Sequence, residues 1–286
     1  MEQIVYLNGS LIPRSRAKIS PFDFGFLYGY ALFESMRAYS GRVFRLNRHL
    51  ERLARSAEIL GINLPEVDLQ KAIYDTLEAN GLINARIRLT VSLGQGEATP
   101  DLSTCENPTV FITANTYTQL PEAAYKKGFR SVVLQIRRNS ASPLSQVKSA
   151  NYLDMMLART QANNAGADEA LLLNEQGYVA ESSTSNVFIV SKGRIITPSI
   201  DSGILPGITR DVILELASSL RVEAEQRSVE LNELYACQEA FLTNSVIEIM
   251  PLVEADGRRI GSGTVGAITG KLMYKYKTLI KEELGL

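Results

Sequence analysis

The sequence predicts an α+β fold in two domains, and three observations carry that prediction. The chain has 286 residues, a length that suits about two domains of ordinary size. Its residues are 45% hydrophobic and 21% charged, the usage of a globular protein with ample core. Short strand-like and helix-like stretches follow one another without the strict alternation of a parallel α/β fold. Residues 1–115 are expected to form a small N-terminal domain and 129–286 a larger C-terminal one. Between them, 116–128 reads as an interdomain linker, with Pro121 inside a polar, Ala-containing stretch.

The elements follow in order. Residues 3–12 read as a hairpin, Ile4 and Tyr6 preceding an Asn8-Gly9 turn. Residues 30–45 read similarly, with Phe33, Met36 and Tyr39 before Ser40-Gly41, then Val43-Phe44. A helix comes next: Leu46, Leu50, Leu53, Ala54, Ala57 and Leu60 recur at helical spacing, and Gly61 ends the run. Its other side carries Arg45, Arg48, Arg52 and Arg55. Taken alone, that stripe is a solvated, ion-paired face with His49 as a surface or capping neighbour. A second helix spans about 66–80, with Leu69, Ile73 and Leu77 inward and Asn80-Gly81 as its stop. Residues 85–93 alternate, with Ile87, Leu89, Val91 and Leu93 on one face and Arg86, Arg88, Thr90 and Ser92 on the other. The two arginines suit solvent or an anionic substrate equally well. Strand 109–115 is expected to pair with this one. Further strands are expected at 129–137, 169–174, 178–181, 186–190, 194–197, 222–228 and 239–243, and helices at 151–165, 209–220, 230–235 and 264–284.

Composition narrows the function. Thirty basic residues face 31 acidic ones, for a net charge of −1, so neither a general nucleic-acid binder nor a membrane-surface binder is expected. No stretch has the apolar length of a membrane span, and Glu2 to Tyr6 lacks the pattern of a secretory signal. Cys105 and Cys237 stand far apart without a C-x-x-C spacing, which argues against a disulfide scaffold or thiolate metal site and for the cytoplasm. His49 is the only histidine. A His-ligated metal or a Ser-His-Asp hydrolase would have to rest on it alone, so no metal is expected. The proton carrier of an enzyme built from this chain is a lysine, tyrosine or carboxylate.

Four segments could carry chemistry. Lys148 follows Pro143-Leu144-Ser145-Gln146-Val147, read as a short extended approach, and stands just before a helix. Alone it reads as an exposed loop lysine; desolvated, it would be a nucleophilic amine. Glu181 ends a short strand before Ser182-Ser183-Thr184-Ser185. That is either a hydroxyl-rich turn or a carboxylate held in a cleft by its neighbours. Gly203 to Asp211 is a Gly/Pro loop entering a helix near Thr209, where free N–H groups and a hydroxyl suit either simple capping or a phosphate. Thr243-Asn244-Ser245 leaves a strand with similar groups.

Together these segments resemble a family. The ordered set Phe33-Glu34…Arg37, His49-Leu50-Glu51-Arg52-Leu53, Lys148-Ser149-x-Asn151-Tyr152, Glu181-x-x-x-Ser185-Asn186-Val187-Phe188 and Gly207-Ile208-Thr209-Arg210 is similar to the class IV (fold type IV) pyridoxal-phosphate aminotransferases. The match runs from about residue 5 to 280. The family includes branched-chain aminotransferases, D-amino-acid aminotransferases and aminodeoxychorismate lyases. The resemblance implies a cofactor, pyridoxal 5'-phosphate, in an interdomain cleft. Lys148 would bind it as a Schiff base and shuttle the proton. Glu181 would pair with the ring nitrogen and Tyr152 would pack near the ring. Arg52, Ile208, Thr209, Asn244 and Ser245 would hold the phosphate. Tyr28 and Phe33 would shape an apolar substrate pocket, and Arg86 and Arg88 would stand beside it.

Local departures bear on substrate. Leu93 stands where D-amino-acid and lyase members carry an arginine, which favours the branched-chain group. Arg86, however, replaces that group's usual tyrosine, and Gly94-Gln95-Gly96-Glu97 lacks its fuller glycine-rich signature. The resemblance therefore implies ping-pong transamination between a branched-chain or other apolar L-amino acid and 2-oxoglutarate, in a homodimer or higher homo-oligomer. The alternatives are a D-amino-acid aminotransferase, an aminodeoxychorismate lyase releasing pyruvate, and a degenerate fold used only for binding.

Overall fold

Period-two patterning builds the first sheet. In the computed structural model, which describes residues 2–97 and 99–286, β1 (Ile4–Leu7) turns back into β2 (Ser10–Pro13). Asn8 and Gly9 hold φ of 44° and 92°, the left-handed backbone that a two-residue hairpin turn needs. There follow α1 (Phe24–Leu27), β3 (Ala31–Tyr39), β4 (Arg42–Val43), α2 (Leu46–Leu60), α3 (Leu69–Ala79), β5 (Ala85–Ser92) and β6 (Val110–Thr116). The six strands pair antiparallel in the order β2-β1-β6-β5-β3-β4.

Register decides what each face carries. Leu32, Glu34 and Met36 of β3 oppose Val91, Leu89 and Ile87 of β5, which oppose Val110, Ile112 and Ala114 of β6. On this face Leu46, Leu53 and Ala57 of α2 and Ile73 and Leu77 of α3 complete a core. The other face carries Phe33, Ser35 and Arg37 beside Thr90, Arg88 and Arg86. Segment Val147–Asn151 also belongs to this unit. β4 covers only Ala38 and Tyr39 of β3, so the rest of that edge is open. There Leu32 bridges Ser149, Phe33 N donates to Lys148 O at 2.9 Å, and Ala150 N donates to Ala31 O at 2.6 Å.

The second unit takes Gln119–Gln146 and Tyr152–Gly285. Its elements are α4 (Glu122–Lys127), β7 (Phe129–Arg138), α5 (Leu153–Asn164), β8 (Glu169–Asn174), β9 (Val179–Ser182), β10 (Asn186–Ser191), β11 (Arg194–Thr197), α6 (Ile208–Ser219), β12 (Ala224–Gln226), α7 (Leu231–Ala236), β13 (Glu239–Asn244), β14 (Glu248–Ala255), β15 (Arg258–Arg259) and α8 (Ala267–Leu284). The strands run β12-β11-β10-β13-β14-β7-β8-β9, with β15 on β14. β9 also pairs with β10 through Glu181 and Asn186, so β10, β13, β14, β7, β8 and β9 close a ring. Closure removes sheet edges and brings Glu181 and Asn186 side by side.

Three details differ from the sequence reading. β14 was not expected; Pro251 interrupts its apolar run, and proline offers the ladder no N–H. The strand accommodates it where the β7 ladder has not yet begun; that pairing starts at Leu252. The approach to Lys148 is not extended but a 3-10 turn over Pro143–Gln146. The stretch 116–128 contains α4, whose Tyr125 is buried in the second unit's core.

Candidate active site

In the first unit, β3 presents two adjacent residues to opposite sides. Phe33 faces Lys148 and Arg88. The Lys148 Nζ lies 4.6 Å and the Arg88 guanidinium 3.8 Å from the centre of its ring. An amine and a guanidinium therefore share one aromatic ring, and the backbone of Lys148 is pinned to β3 by the bonds described above. Arg86 lies two residues from Arg88 on the same face, exposed, directly opposite Arg37. The Arg37 guanidinium sits 4.3 Å from the Tyr39 ring and 4.4 Å from the Tyr117 ring. Tyr28 is half-exposed, edge-on to Phe24 at 4.9 Å.

Glu34 points the other way, into the core face, and is fully buried. Arg52 donates to it twice, Nε to Oε1 at 2.8 Å and Nη2 to Oε2 at 2.6 Å, and the His49 Nδ1 lies 2.7 Å from Oε2. An ionised carboxylate only accepts, so the Nδ1 carries the proton. Burial alone would raise the Glu34 acid. Arg52 and His49 outweigh it and hold the carboxyl at about 2. Burial pushes His49 below its ordinary value against the pull of Glu34, helped by the charges of Arg52 and Lys148. His49 is thus a neutral core donor, not the surface or capping residue expected from the arginine stripe. Arg52 leaves that stripe too, while Arg48 remains exposed beside Glu51. A signal for this exists in the sequence: His49 and Arg52 fall three residues after Leu46 and His49, on the buried side of α2. Glu34 lies within the family motif, but sequence reasoning assigns it no role.

In the second unit both oxygens of Glu181 are held. Oε1 lies 3.0 Å from the Arg138 Nε, and Oε2 accepts from Leu205 N at 3.0 Å. The hydroxyl turn after it is a hub. Glu169 is buried and accepts from the Ser183 Oγ and from the Thr184 Oγ1, the latter at 2.8 Å. The Tyr152 hydroxyl donates to Ser183 O at 2.8 Å, and the Asn244 Nδ2 donates to Thr184 O and the Ser185 Oγ at 3.1 and 2.9 Å. Tyr152, Glu169 and Asn244 thus converge on the turn that follows Glu181, through polar contacts the sequence did not reveal.

The N-cap of α6 is Gly207, which makes no side-chain cap. Asn186 explains the glycine. Its Nδ2 donates to Leu205 O at 2.8 Å, and a Cβ on residue 207 would fall 1.9 Å from its Oδ1. Ile208 and Thr209 are both buried in the first turn, where main-chain N–H groups lack intrahelical acceptors. On β13, Thr243 opposes Asn186, and its buried Oγ1 has no hydrogen-bond partner among the described residues. Ser245 follows Asn244, whose Oδ1 accepts from Val246 N and Ile247 N at 2.8 and 2.9 Å to shape the turn.

Other places carry less. A cavity of about 620 Å³ in the first unit is lined by polar residues such as Asp23, Glu97 and Glu106 and by none of the expected site residues. Its buried Asp23 is already engaged by Gly25 N, the Ser92 Oγ and the Thr109 Oγ1. Among the described residues no cluster of His, Cys, Asp or Glu could hold a metal, and no helix is long and apolar enough to cross a membrane.

Residues 31–255 match the family described as amino-transferase class IV. A Methanocaldococcus jannaschii protein that bears the name "Putative branched-chain-amino-acid aminotransferase" is 41% identical over 278 residues, covering 96% of each chain. The aminodeoxychorismate lyase of Bacillus subtilis is 38% identical over 283 residues, 97% of this chain and 95% of that one. Among solved structures, the branched-chain amino acid aminotransferase of T.th. with pyridoxamine 5'-phosphate superposes with a TM-score of 0.90 at 32% identity, covering 96% of this chain and 93% of that one.

Proposed function

Because the chain belongs to the class IV aminotransferases, enzymes that work with pyridoxal phosphate on amino and 2-oxo acids, we propose that it moves an amino group between a branched-chain or other apolar L-amino acid and 2-oxoglutarate. The observation that carries the reading is the placement of Lys148, pinned to β3 with its amine on the Phe33 ring. The residues fit the cofactor's phosphate. The uncapped, buried start of α6 offers N–H groups and the Thr209 hydroxyl, and Thr243 adds an unsatisfied buried hydroxyl.

When bound, the cofactor supplies an electron sink for the charge left on the substrate α-carbon. Lys148 would hold the cofactor through its Nζ, and the same amine, when free, would take and return the substrate α-proton. Glu181, whose carboxylate contacts Arg138 and Leu205, would keep a proton on the ring nitrogen. Arg52, Ile208, Thr209, Asn244 and Ser245 hold the phosphate, which anchors the ring without crowding the reacting side. Tyr152 packs near the ring. Tyr28 and Phe33 shape the apolar pocket, and Arg86 and Arg88 receive a carboxylate. The two acids use one pocket in turn, a ping-pong sequence. We place the enzyme in the cytoplasm, which suits its two free cysteines.

Purified protein given pyridoxal phosphate, L-leucine or L-valine and 2-oxoglutarate is expected to form glutamate. Activity on D-alanine with none on the L-acids would move it to the D-amino-acid group. The similarity to the Bacillus subtilis enzyme favours one second reading, lyase activity. Pyruvate released from aminodeoxychorismate without an amino acceptor would establish it.

A further inference from the structure

One guanidinium touches Glu181 and two segments that lead into other residues the proposed function assigns to the cofactor. Arg138 ends β7 just after the β7–β8 register shifts between Val133 and Arg137. Such irregularities re-aim the side chains beyond them. Its Nε lies 3.0 Å from the Glu181 Oε1 and donates to Gly203 O at 3.0 Å, while Nη2 donates to Ser145 O at 2.8 Å. Glu181 is the proposed partner of the ring nitrogen. Gly203 opens the loop that leads into α6, and Leu205 of that loop returns its N–H to Glu181. Ser145 lies in the 3-10 turn three residues before Lys148. The Arg138 side chain is 19% exposed and the Glu181 side chain 7%, so the pair is shielded and not a solvated surface contact.

We propose that Arg138 is a positioning residue, fixing the Glu181 carboxylate relative to the α6 loop and to the turn before Lys148. The inference rests on the assignment of Glu181 to the cofactor ring. Guanidinium suits the task because its planar fork directs several donors at fixed angles, whereas an ammonium is a point charge on a flexible stem. Neither the carboxylate nor the two carbonyls can donate, so without Arg138 the three acceptors would have no common donor.

The test is a double-mutant cycle on the affinity for pyridoxal phosphate, read by absorbance titration of the wild type, R138M, E181Q and the double variant. If Arg138 works through Glu181, R138M weakens cofactor binding by about tenfold or more in the wild-type background. In the E181Q background it does so by less than about threefold, since coupled residues do not add. The absorbance spectrum of loaded R138M is also expected to move toward that of E181Q. Equal fold-losses in both backgrounds, or wild-type affinity and spectrum in R138M, would overturn the proposal. Should R138M not fold, R138K keeps the charge without the fork and is expected to bind with intermediate affinity; wild-type affinity in R138K overturns the proposal equally. An E181Q protein with unchanged affinity and spectrum would show that the assignment of Glu181 itself is wrong, and the inference would fall with it. Additive losses beside a clear E181Q effect overturn the positioning role alone.

Discussion

Glu34 holds two side chains of α2 at once, and neutralising it leaves Arg52 a buried cation without its anion. Glu34→Gln is expected to lower the unfolding free energy by about 3 kcal/mol, the scale of a broken buried pair, read as an earlier urea midpoint. The same cluster sets an acid limit on stability. His49 is depressed from 6.5 in the fold, so the unfolded chain takes up its proton first as pH falls through 6.5, and stability begins to drop there. Glu34 adds stability that is complete above 4.5 and is lost as pH falls from 4.5 toward about 2. In Glu34→Gln the second loss should vanish from a pH series of denaturant melts; an unchanged acid limb would contradict the assignment. Of this cluster the sequence showed only the arginine. Helical spacing could have placed His49 and Arg52 on the buried side, but nothing local marks Glu34 as their partner, because strand and helix meet only in the fold.

At the scale of elements, the start of α6 leaves no room for one added carbon. The Cβ of Gly207→Ala would overlap the Asn186 Oδ1, so Asn186 or the loop must move. A loss of about 1–3 kcal/mol is expected, the range for overpacking, together with weaker binding of pyridoxal phosphate in the same titration. Wild-type stability and affinity would show that the loop yields freely. The Gly/Pro loop before this helix was legible because its punctuation is local. β14 was not: Pro251 argues against a strand, and only the late start of the β7 ladder makes room for it. The turn before Lys148 was likewise hidden, since Pro143 and Ser145 suit extended and 3-10 backbone alike.

For the whole molecule, length and the mixed order of strands and helices were enough to read two domains of α+β character. They could not show that Val147–Asn151 groups with the first unit, because that depends on β4 being too short to cover the edge of β3. Phe26 and Tyr28 remain 74% and 44% exposed, apolar surface of the kind that subunit pairing covers. The proposed assembly is a homodimer or higher homo-oligomer. Sedimentation at micromolar concentration is expected to give at least twice the 31.5 kDa chain mass, and a monomer alone would contradict it. The most direct measurement concerns the amine on which all the chemistry rests. Borohydride reduction of the cofactor-loaded protein, followed by peptide mass spectrometry, is predicted to place the pyridoxyl label on Lys148 and to leave Lys148→Ala unlabelled. A label on another lysine, or none in the wild type, would contradict the account.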